Sequence, residues 1–297
     1  MECYRVGVVG GGFVGGACKL LQCDAVSVFV FDLDLTKRYS SDPSIEISDN
    51  LSSFVQECKC DVIFVCVPTP MRESDGGVYT KVVEDVVNEI KACNAIENQH
   101  IIVRSTVPPG TCERLGVSFM PEFLTEKNAL KDFKQTKHWI VGRSGGNKTP
   151  NKVSNILRLS KFYGKIDSDN IIYTPSNTAE MCKYMRNAFL AAKVSFCNEF
   201  KTLSDTLGIQ YHELQTLFGL DARIGPSHTE VPGPDGFNGF GGTCFPKDMN
   251  GIQSEFKRNC LDCPILEAAL YRNNKLDRPQ KDYLMDKGRA IVNDSQI

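Results

Sequence analysis

Short apolar runs recur along the first half of the chain, and each is followed by a polar, loop-forming segment. The runs have the length of strands that are buried on both faces, as in a parallel sheet. Between two of them, Lys81–Ala92 repeats its apolar residues with the period of an amphipathic helix. The runs are Tyr4–Val9, Val26–Phe31, Asp61–Val67, Gln99–Arg104 and Trp139–Val141. This alternation predicts an α/β fold with a Rossmann-like, doubly wound parallel sheet.

The pattern changes at Asn177, where the apolar residues take up a helical period that continues to Leu207. Asn177 and Glu180 have the spacing of a capping pair at the start of this helix. Shorter helical segments follow around a glycine-rich stretch. We therefore predict two domains. Residues 1–175 carry the sheet, and residues 176–297 form a mostly helical second domain built on the long central helix.

The first apolar run leads into GGGFVGGA, in which Gly10, Gly12 and Gly15 form the GxGxxG pattern. These glycines allow a tight turn, a close approach of a pyrophosphate to the backbone, and close packing of the following helix. The second run leads into Asp32, at the spacing expected of an acid that binds the ribose hydroxyls. Together these features predict a dinucleotide site. Asp32 favours NAD over NADP because it repels a 2′-phosphate, although the cation of Lys37 lies close in sequence.

Polar residues follow two further runs. Thr69 comes after the third run and Thr106 after the fourth. Ligands of open parallel sheets bind beyond the carboxyl ends of the strands, so each hydroxyl is either a ligand-binding candidate or a turn residue. Glu122 and Glu126 lie four residues apart among apolar neighbours. A half-buried carboxylate there could act as a general base or cap a backbone amide.

The glycine-rich stretch PGPDGFNGFGGTCFPKDM holds the candidate for covalent chemistry. Its Cys244 is followed by Lys247, a cation that can stabilise a thiolate, and by Asp248, which can orient or accept a proton. The alternative is a small buried thiol beside a solvated ion pair. On the long helix, Lys183 and Asn187 lie four residues apart and share a face, which suits either a common ligand or solvent.

The order of the motifs resembles that of the UDP-glucose/GDP-mannose dehydrogenase family. The motifs extend over almost the whole chain and are GGGFVG, CVPTP, STVPPG, PEFLTE, AEMCKYMRNAFLAAKVSFCNE, and RIG followed by GFGGTCFPKD. By this resemblance, Cys244 is the covalent nucleophile, and Lys183 and Asn187 hold the substrate and the developing oxyanion. Asp248 and Thr106 position the catalytic water. Arg223 matches an arginine that reaches the substrate site of a neighbouring subunit.

The resemblance thus implies three sets of site residues. The catalytic set is Cys244, Lys183, Asn187, Asp248, Thr106 and Glu122. The NAD-binding set is Gly10, Gly12, Phe13, Val14, Gly15, Asp32, Lys37, Thr69, Thr106, Glu126 and Lys247. The substrate-binding set is Glu122, Phe123, Leu124, Lys183, Asn187, Arg223, Phe240 and Gly241.

The implied reaction is the NAD-dependent, four-electron oxidation of a nucleotide sugar, UDP-glucose to UDP-glucuronate, through a cysteine thiohemiacetal and thioester. The family usually carries a third, nucleotide-sugar-binding domain, and the chain stops shortly after a helix that begins near Pro264. We therefore expect that domain to be missing. The alternatives are a weakly active binding or regulatory subunit that needs a partner for this domain, and a dehydrogenase re-specialised for a smaller sugar. A hydroxyacid-type dehydrogenase would need no covalent thiol.

Composition limits the kinds of partner and the cellular location that we expect for this chain. The net charge of −2 and the 41% hydrophobic content are those of a globular protein, with no indication of a nucleic-acid partner. No apolar run is long enough to span a membrane, which leads us to expect a cytoplasmic location. The 13 cysteines favour reduced thiols, and their spacing predicts no metal site. The apolar stripe of the long helix predicts a homodimer joined along it.

Overall fold

The computed structural model describes residues 3–93, 99–144, 150–285 and 288–293 of the 297-residue chain. The strands are β1 (Tyr4–Val9), β2 (Val26–Phe31), β3 (Tyr39–Ser40), β4 (Val62–Val65), β5 (Met71–Arg72), β6 (His100–Val103), β7 (Ser118–Phe119), β8 (His138–Arg143), β9 (Asn170–Pro175) and β10 (Ile291–Val292). The α-helices are α1 (Phe13–Ala17), α2 (Leu51–Cys58), α3 (Lys81–Cys93), α4 (Thr111–Arg114), α5 (Ala129–Lys134), α6 (Pro150–Phe162), α7 (Ser176–Thr206), α8 (Tyr211–Gly219), α9 (Phe245–Arg258) and α10 (Pro264–Arg272). The strands and helices predicted from the sequence are present, with small shifts at their ends.

Eight of the described strands form one sheet in the order β3-β2-β1-β4-β6-β7-β8-β9. β1 lies between β2 and β4 and pairs in parallel with both. The chain therefore builds the sheet outward from β1 in two opposite directions. Such a reversal is the point at which doubly wound sheets bind ligands beyond the carboxyl ends of their strands.

Both faces of this sheet are buried, which explains why its strands are apolar throughout instead of alternating. Val8 and Phe64 belong to the core layer on one side. Val9 and Ile63, their neighbours in sequence, belong to the layer on the other side. The predicted Rossmann-like architecture is confirmed.

The sheet is not parallel throughout. β3 runs antiparallel to β2, and β8 runs antiparallel to β7 through Phe119 and Gly142. The prediction of a parallel sheet is therefore right for the strands around β1 and wrong at these two pairs. Apolar runs indicate burial, but they do not record the direction in which a strand enters the sheet.

The chain divides into two compact units, one comprising Met1–Thr69 with Thr80–Lys183 and the other Pro70–Tyr79 with Tyr184–Ile297. The division falls inside α7 and differs from the expected boundary at residue 175. Residues 70–79 belong with the second unit because β5 pairs in parallel with β10, near the other end of the chain. Pairing over such a sequence distance leaves no local pattern to predict it.

The second unit is mostly helical and has a core of its own. Ala188 and Ala191 of α7 belong to it together with Met249 and Ile252 of α9 and Leu270 of α10. Small residues on α7 let the helices of this unit pack closely. The predicted helical character of this part of the chain is therefore confirmed.

The start of α7 differs from the predicted capping pair. Asn177 accepts a hydrogen bond from the N–H of Thr178. The carboxylate of Glu180 instead accepts the N–H groups of Gly110 at 2.6 Å and Cys112 at 2.8 Å, at the start of α4. Burial raises the pKa of Glu180. This carboxylate satisfies backbone donors that the first turn of a helix leaves unpaired.

Two findings concern membrane and redox chemistry. None of the described helices is both long and apolar enough to cross a bilayer. The cysteines, all of which lie within the described ranges, form no disulfide.

Candidate active site

The glycine loop between β1 and α1 has the geometry that its sequence requires. Gly10 has a φ of +96°, and a Cβ there would lie 2.6 Å from the carbonyl oxygen of Cys66. A Cβ on Gly15 would lie 1.8 Å from the oxygen of Gly10, so the helix can pack on the loop only with glycine there. A Cβ on Gly12 would meet nothing within 4 Å, which leaves its backbone open to a ligand. These residues fit a dinucleotide pyrophosphate.

Asp32 follows β2 and is tied to the same loop. Its Oδ2 accepts the N–H of Gly11 at 2.6 Å, and its Oδ1 accepts the N–H of Asp34 at 2.8 Å. Lys37 is exposed and pairs with Asp34 at 3.0 Å. The carboxylate of Asp32 is therefore placed beside the glycine loop, as NAD binding requires, while a neighbouring acid partly neutralises the cation of Lys37.

The other residues of the predicted NAD set differ in how far their side chains are exposed to solvent. Phe13 and Val14 are half-buried in the first turn of α1. Thr69 is buried after β4, and Thr106 is half-buried after β6, so both follow strands of the central sheet. Glu126 is exposed in a short 3₁₀ turn.

Glu122 and Lys183 form a buried ion pair in the first unit, although they lie 61 residues apart. The Nζ of Lys183 lies 2.6 Å from Oε1 of Glu122 and 2.6 Å from its backbone oxygen. Oε2 of Glu122 accepts the N–H of Leu124. The ammonium also lies 5.8 Å from the ring centroid of Phe123. The two predicted glutamates are thus not equivalent, because Glu122 fixes a buried lysine and Glu126 does not share its burial.

A second buried polar cluster lies in the second unit. The Nδ2 of Asn187 donates to Oδ2 of Asp248 at 2.6 Å, and the Nζ of Lys247 donates to Oδ1 at 2.6 Å. All three side chains are buried. The sequence proposed Lys247 either as a cation for the thiolate or as an NAD ligand, and the structure pairs its ammonium with Asp248.

Cys244 directly precedes α9 and is half-buried. Its backbone oxygen accepts the N–H of Asp248 at 2.9 Å, which closes the first turn of the helix. The Sγ lies 3.9 Å from the hydroxyl oxygen of Thr243. The positive end of a helix favours negative charge, so this position suits a thiolate.

Three residues of the predicted substrate set have different surroundings. Phe240 is only 2% exposed and belongs to the core of the second unit, so its ring has a packing role. Gly241 is half-buried in the loop before Cys244. Arg223 is exposed and pairs with Asp221 at 2.5 Å.

The sequence reading missed a buried cation in the first unit. The Nη1 of Arg104 donates to the Sγ of Cys18 at 3.1 Å, and its guanidinium lies 5.3 Å and 5.9 Å from the ring centroids of Phe133 and Trp139. Hydrogen bonding with Cys66, together with Arg104, lowers the pKa of Cys18 to about 7 although burial opposes the shift. An arginine at the end of an apolar strand was the only available signal.

Among the described residues, no three His, Cys, Asp or Glu side chains are grouped so that they could hold a metal ion.

Comparisons with known proteins agree with these features. Residues 37–163 match the NAD binding domain of the UDP-glucose/GDP-mannose dehydrogenase family, and residues 177–275 match its central domain. The chain is 35% identical to the UDP-glucose 6-dehydrogenase of Rickettsia prowazekii over an alignment 229 positions long, which covers 73% of this chain and 49% of that protein. It is 30% identical to the UDP-glucose 6-dehydrogenase of Rickettsia conorii over an alignment 310 positions long, which covers 97% of this chain and 68% of that protein.

The solved structure of a UDP-glucose dehydrogenase from Pyrobaculum islandicum resembles this chain with a TM-score of 0.73 at 25% identity, over 92% of this chain and 68% of that one. The chain therefore belongs to the UDP-glucose/GDP-mannose dehydrogenase family, and its first unit carries an NAD-binding domain. It spans between 49% and 68% of the length of these two Rickettsia relatives.

Proposed function

We propose that this chain oxidises the primary alcohol of a nucleotide sugar to the carboxylate, with NAD as the oxidant and UDP-glucose as the leading candidate substrate. The observation that carries the proposal is the half-buried Cys244 at the start of α9, followed directly by the buried pair of Lys247 and Asp248. The UDP-glucose 6-dehydrogenases among its relatives support the same chemistry.

A thiol is needed because the oxidation has two stages. The first converts the alcohol to an aldehyde, whose trigonal carbon gives up a second hydride only after a nucleophile has added. The thiolate of Cys244 adds to form a thiohemiacetal, loss of hydride gives a thioester, and water releases the carboxylate and the thiol. NAD, held by the glycine loop and Asp32, would supply the hydride acceptor for both stages. One alcohol, one water and two NAD⁺ give one carboxylate, two NADH and three protons.

The buried polar residues take the roles that the changing charges require. By the family resemblance, Lys183 and Asn187 are assigned as hydrogen-bond donors to the alkoxide oxygen of the tetrahedral stages. Glu122 holds the ammonium of Lys183 in place. By the family resemblance, Asp248 and Thr106 are both assigned to the water that attacks the thioester. Asn187 keeps its orientation because one hydrogen of its amide is donated to Asp248.

The stoichiometry of NADH formation tests this proposal. With UDP-glucose as the limiting substrate, the 297-residue chain should form two NADH per sugar consumed. NADH formation, followed by absorbance at saturating NAD, is measured in parallel with GDP-mannose, glucose 1-phosphate and glucose. The comparison identifies the class of sugar that the chain oxidises. One NADH per sugar would replace the covalent mechanism with a single oxidation. No NADH from any of the four would contradict the proposed activity.

Cofactor choice gives a second prediction. Asp32→Ala should lower the preference for NAD over NADP by about tenfold, because a charged hydrogen bond to the ribose is lost and the repulsion of a 2′-phosphate disappears. The ratio of kcat/KM for the two cofactors measures it. Asp24→Ala is the matched control, since Asp24 is exposed near the opposite end of β2. Equal efficiency of the parent protein with both cofactors would contradict the role of Asp32.

The long helix gives a third prediction. One face of α7 leaves large apolar side chains in solvent, with Met185 72% and Phe189 67% exposed. We propose that a second copy of the chain covers this face. Sedimentation should give twice the chain mass of 33.0 kDa, and Phe189→Glu should give the single mass. Phe162→Glu, an exposed position outside α7, should leave the dimer intact. A monomeric parent protein would remove the proposal.

Arg223 is assigned to the substrate site of the second copy. Its side chain is 90% exposed, so it is available to another subunit. Arg223→Ala and Cys244→Ser should each form no carboxylate alone, and activity here means carboxylate formation. A refolded equal mixture should recover about a quarter of the parent activity, since half of the dimers are mixed and one site in each is complete. Absence of recovery from mixed dimers would place Arg223 outside the partner's site.

A further inference from the structure

The segment before Cys244 depends on three glycines, for two different reasons. Gly239 and Gly242 have φ values of +71° and +69°, which other residues adopt only at a cost. A Cβ on Gly241 would lie 2.2 Å from the Cζ of Arg278. The guanidinium of Arg278 therefore packs directly on the loop backbone, three residues before the thiol.

Two carboxylates and an aromatic ring fix the guanidinium of Arg278, which is only 2% exposed. Its Nε and Nη2 each lie 2.6 Å from a carboxylate oxygen of Asp282. Its Nη1 lies 2.7 Å from Asp235, and its Cζ lies 5.2 Å from the ring centroid of Phe237. Asp235 and Phe237 belong to the segment that leads into the loop. One side chain thus links this segment and Gly241 to Asp282.

Two buried amides hold the same loop by its backbone. The N–H of Phe240 donates to Oδ1 of Asn273 at 2.7 Å, and the N–H of Gly239 donates to Oδ1 of Asn198 at 3.1 Å. Asn198 is oriented in turn by its Nδ2, which donates to the oxygen of Val194 at 2.8 Å. A buried N–H without a partner is destabilising, so these bonds select one loop conformation.

We propose that Arg278, assisted by Asn273, is a positioning residue for Cys244. It holds residues 239–242 in the conformation that delivers the thiol to the first turn of α9, where the helix favours a thiolate. Lysine cannot replace it, because a point charge neither makes the two-pronged contact with Asp282 nor lies flat on Gly241. The catalytic consequence rests on the proposed function of Cys244, whereas the ordering of the loop does not.

Arg278→Lys tests the proposal with two readouts on the full chain. Amide hydrogen exchange in peptides covering 235–243 should become at least about tenfold faster, because the bonds to Gly239 and Phe240 open more often. The kcat with UDP-glucose should fall by about tenfold to a hundredfold from misplacement of the thiol, while KM for NAD stays within about twofold. Arg258→Lys is the matched control, since Arg258 pairs with Glu255 on the exposed side of α9.

Asp282→Ala provides a second variant in case Arg278→Lys does not fold, because the Asp282 side chain is 43% exposed and the guanidinium keeps Asp235 as a counter-charge. It should also make amide hydrogen exchange faster in the peptides covering 235–243. Unchanged exchange in 235–243 in both variants would overturn the proposal. If Cys244→Ser retained full activity, the proposed function would fail, and the exchange experiment would still decide whether Arg278 orders the loop.

Discussion

Replacing Cys244 by serine should reduce carboxylate formation from UDP-glucose by about a thousandfold or more, whereas the first oxidation to the aldehyde needs no thiol. A serine hydroxyl is far less acidic than a thiol, so no comparable nucleophile remains to add to the aldehyde. NAD affinity, measured by titration calorimetry, should stay near that of the parent protein. The glycine loop and Asp32 that we assign to NAD belong to the first unit, whereas Cys244 belongs to the second.

The matched control for this variant is Cys260→Ser, which removes an exposed thiol that follows the far end of the same helix. It should retain parent activity. Undiminished carboxylate formation by Cys244→Ser would show that the thiol is structural and that the covalent mechanism is wrong.

Replacing Lys183 by methionine should have two large effects. The free energy of unfolding should fall by about 3–5 kcal/mol, because the variant leaves the buried carboxylate of Glu122 without its counter-charge. NADH formation should fall by about a hundredfold or more, because a donor to the developing alkoxide is lost. Denaturant titration measures the first effect, and initial rates under conditions where the variant is folded measure the second.

The double variant Lys183→Met with Glu122→Gln separates these effects. Removing both charges should restore most of the lost stability but none of the lost activity. Lys201→Met, which breaks a more exposed pair with Asp205 on the same helix, should cost less than about 1 kcal/mol. Parent-like turnover in Lys183→Met would remove Lys183 from the catalytic set.

Several features of the fold and site could be predicted from the sequence because they depend on neighbouring residues. The strand runs around β1 and the helical stripe of α7 are periodic patterns of burial. Gly10 is required by its positive φ and Gly15 by a contact with Gly10 five residues earlier, and Asp32 follows the very next strand. Motif order also predicted the family, which the matches over residues 37–163 and 177–275 confirmed.

The pairing of charged groups could not be predicted, because it depends on residues that folding brings together. Lys183 pairs with Glu122 and Asn187 with Asp248, each over 61 residues, and Glu180 reaches Gly110 over 70. Lys247 shows that closeness in sequence does not predict which group a charged side chain pairs with.

Lys247 lies three positions from Cys244, yet its ammonium pairs with the adjacent carboxylate. The exposure of the apolar face of α7 could not be predicted either, since a helical period identifies an apolar face but not what covers it. Local conformation follows from local contacts, whereas the choice of a partner for a buried charge depends on which elements the whole chain packs together.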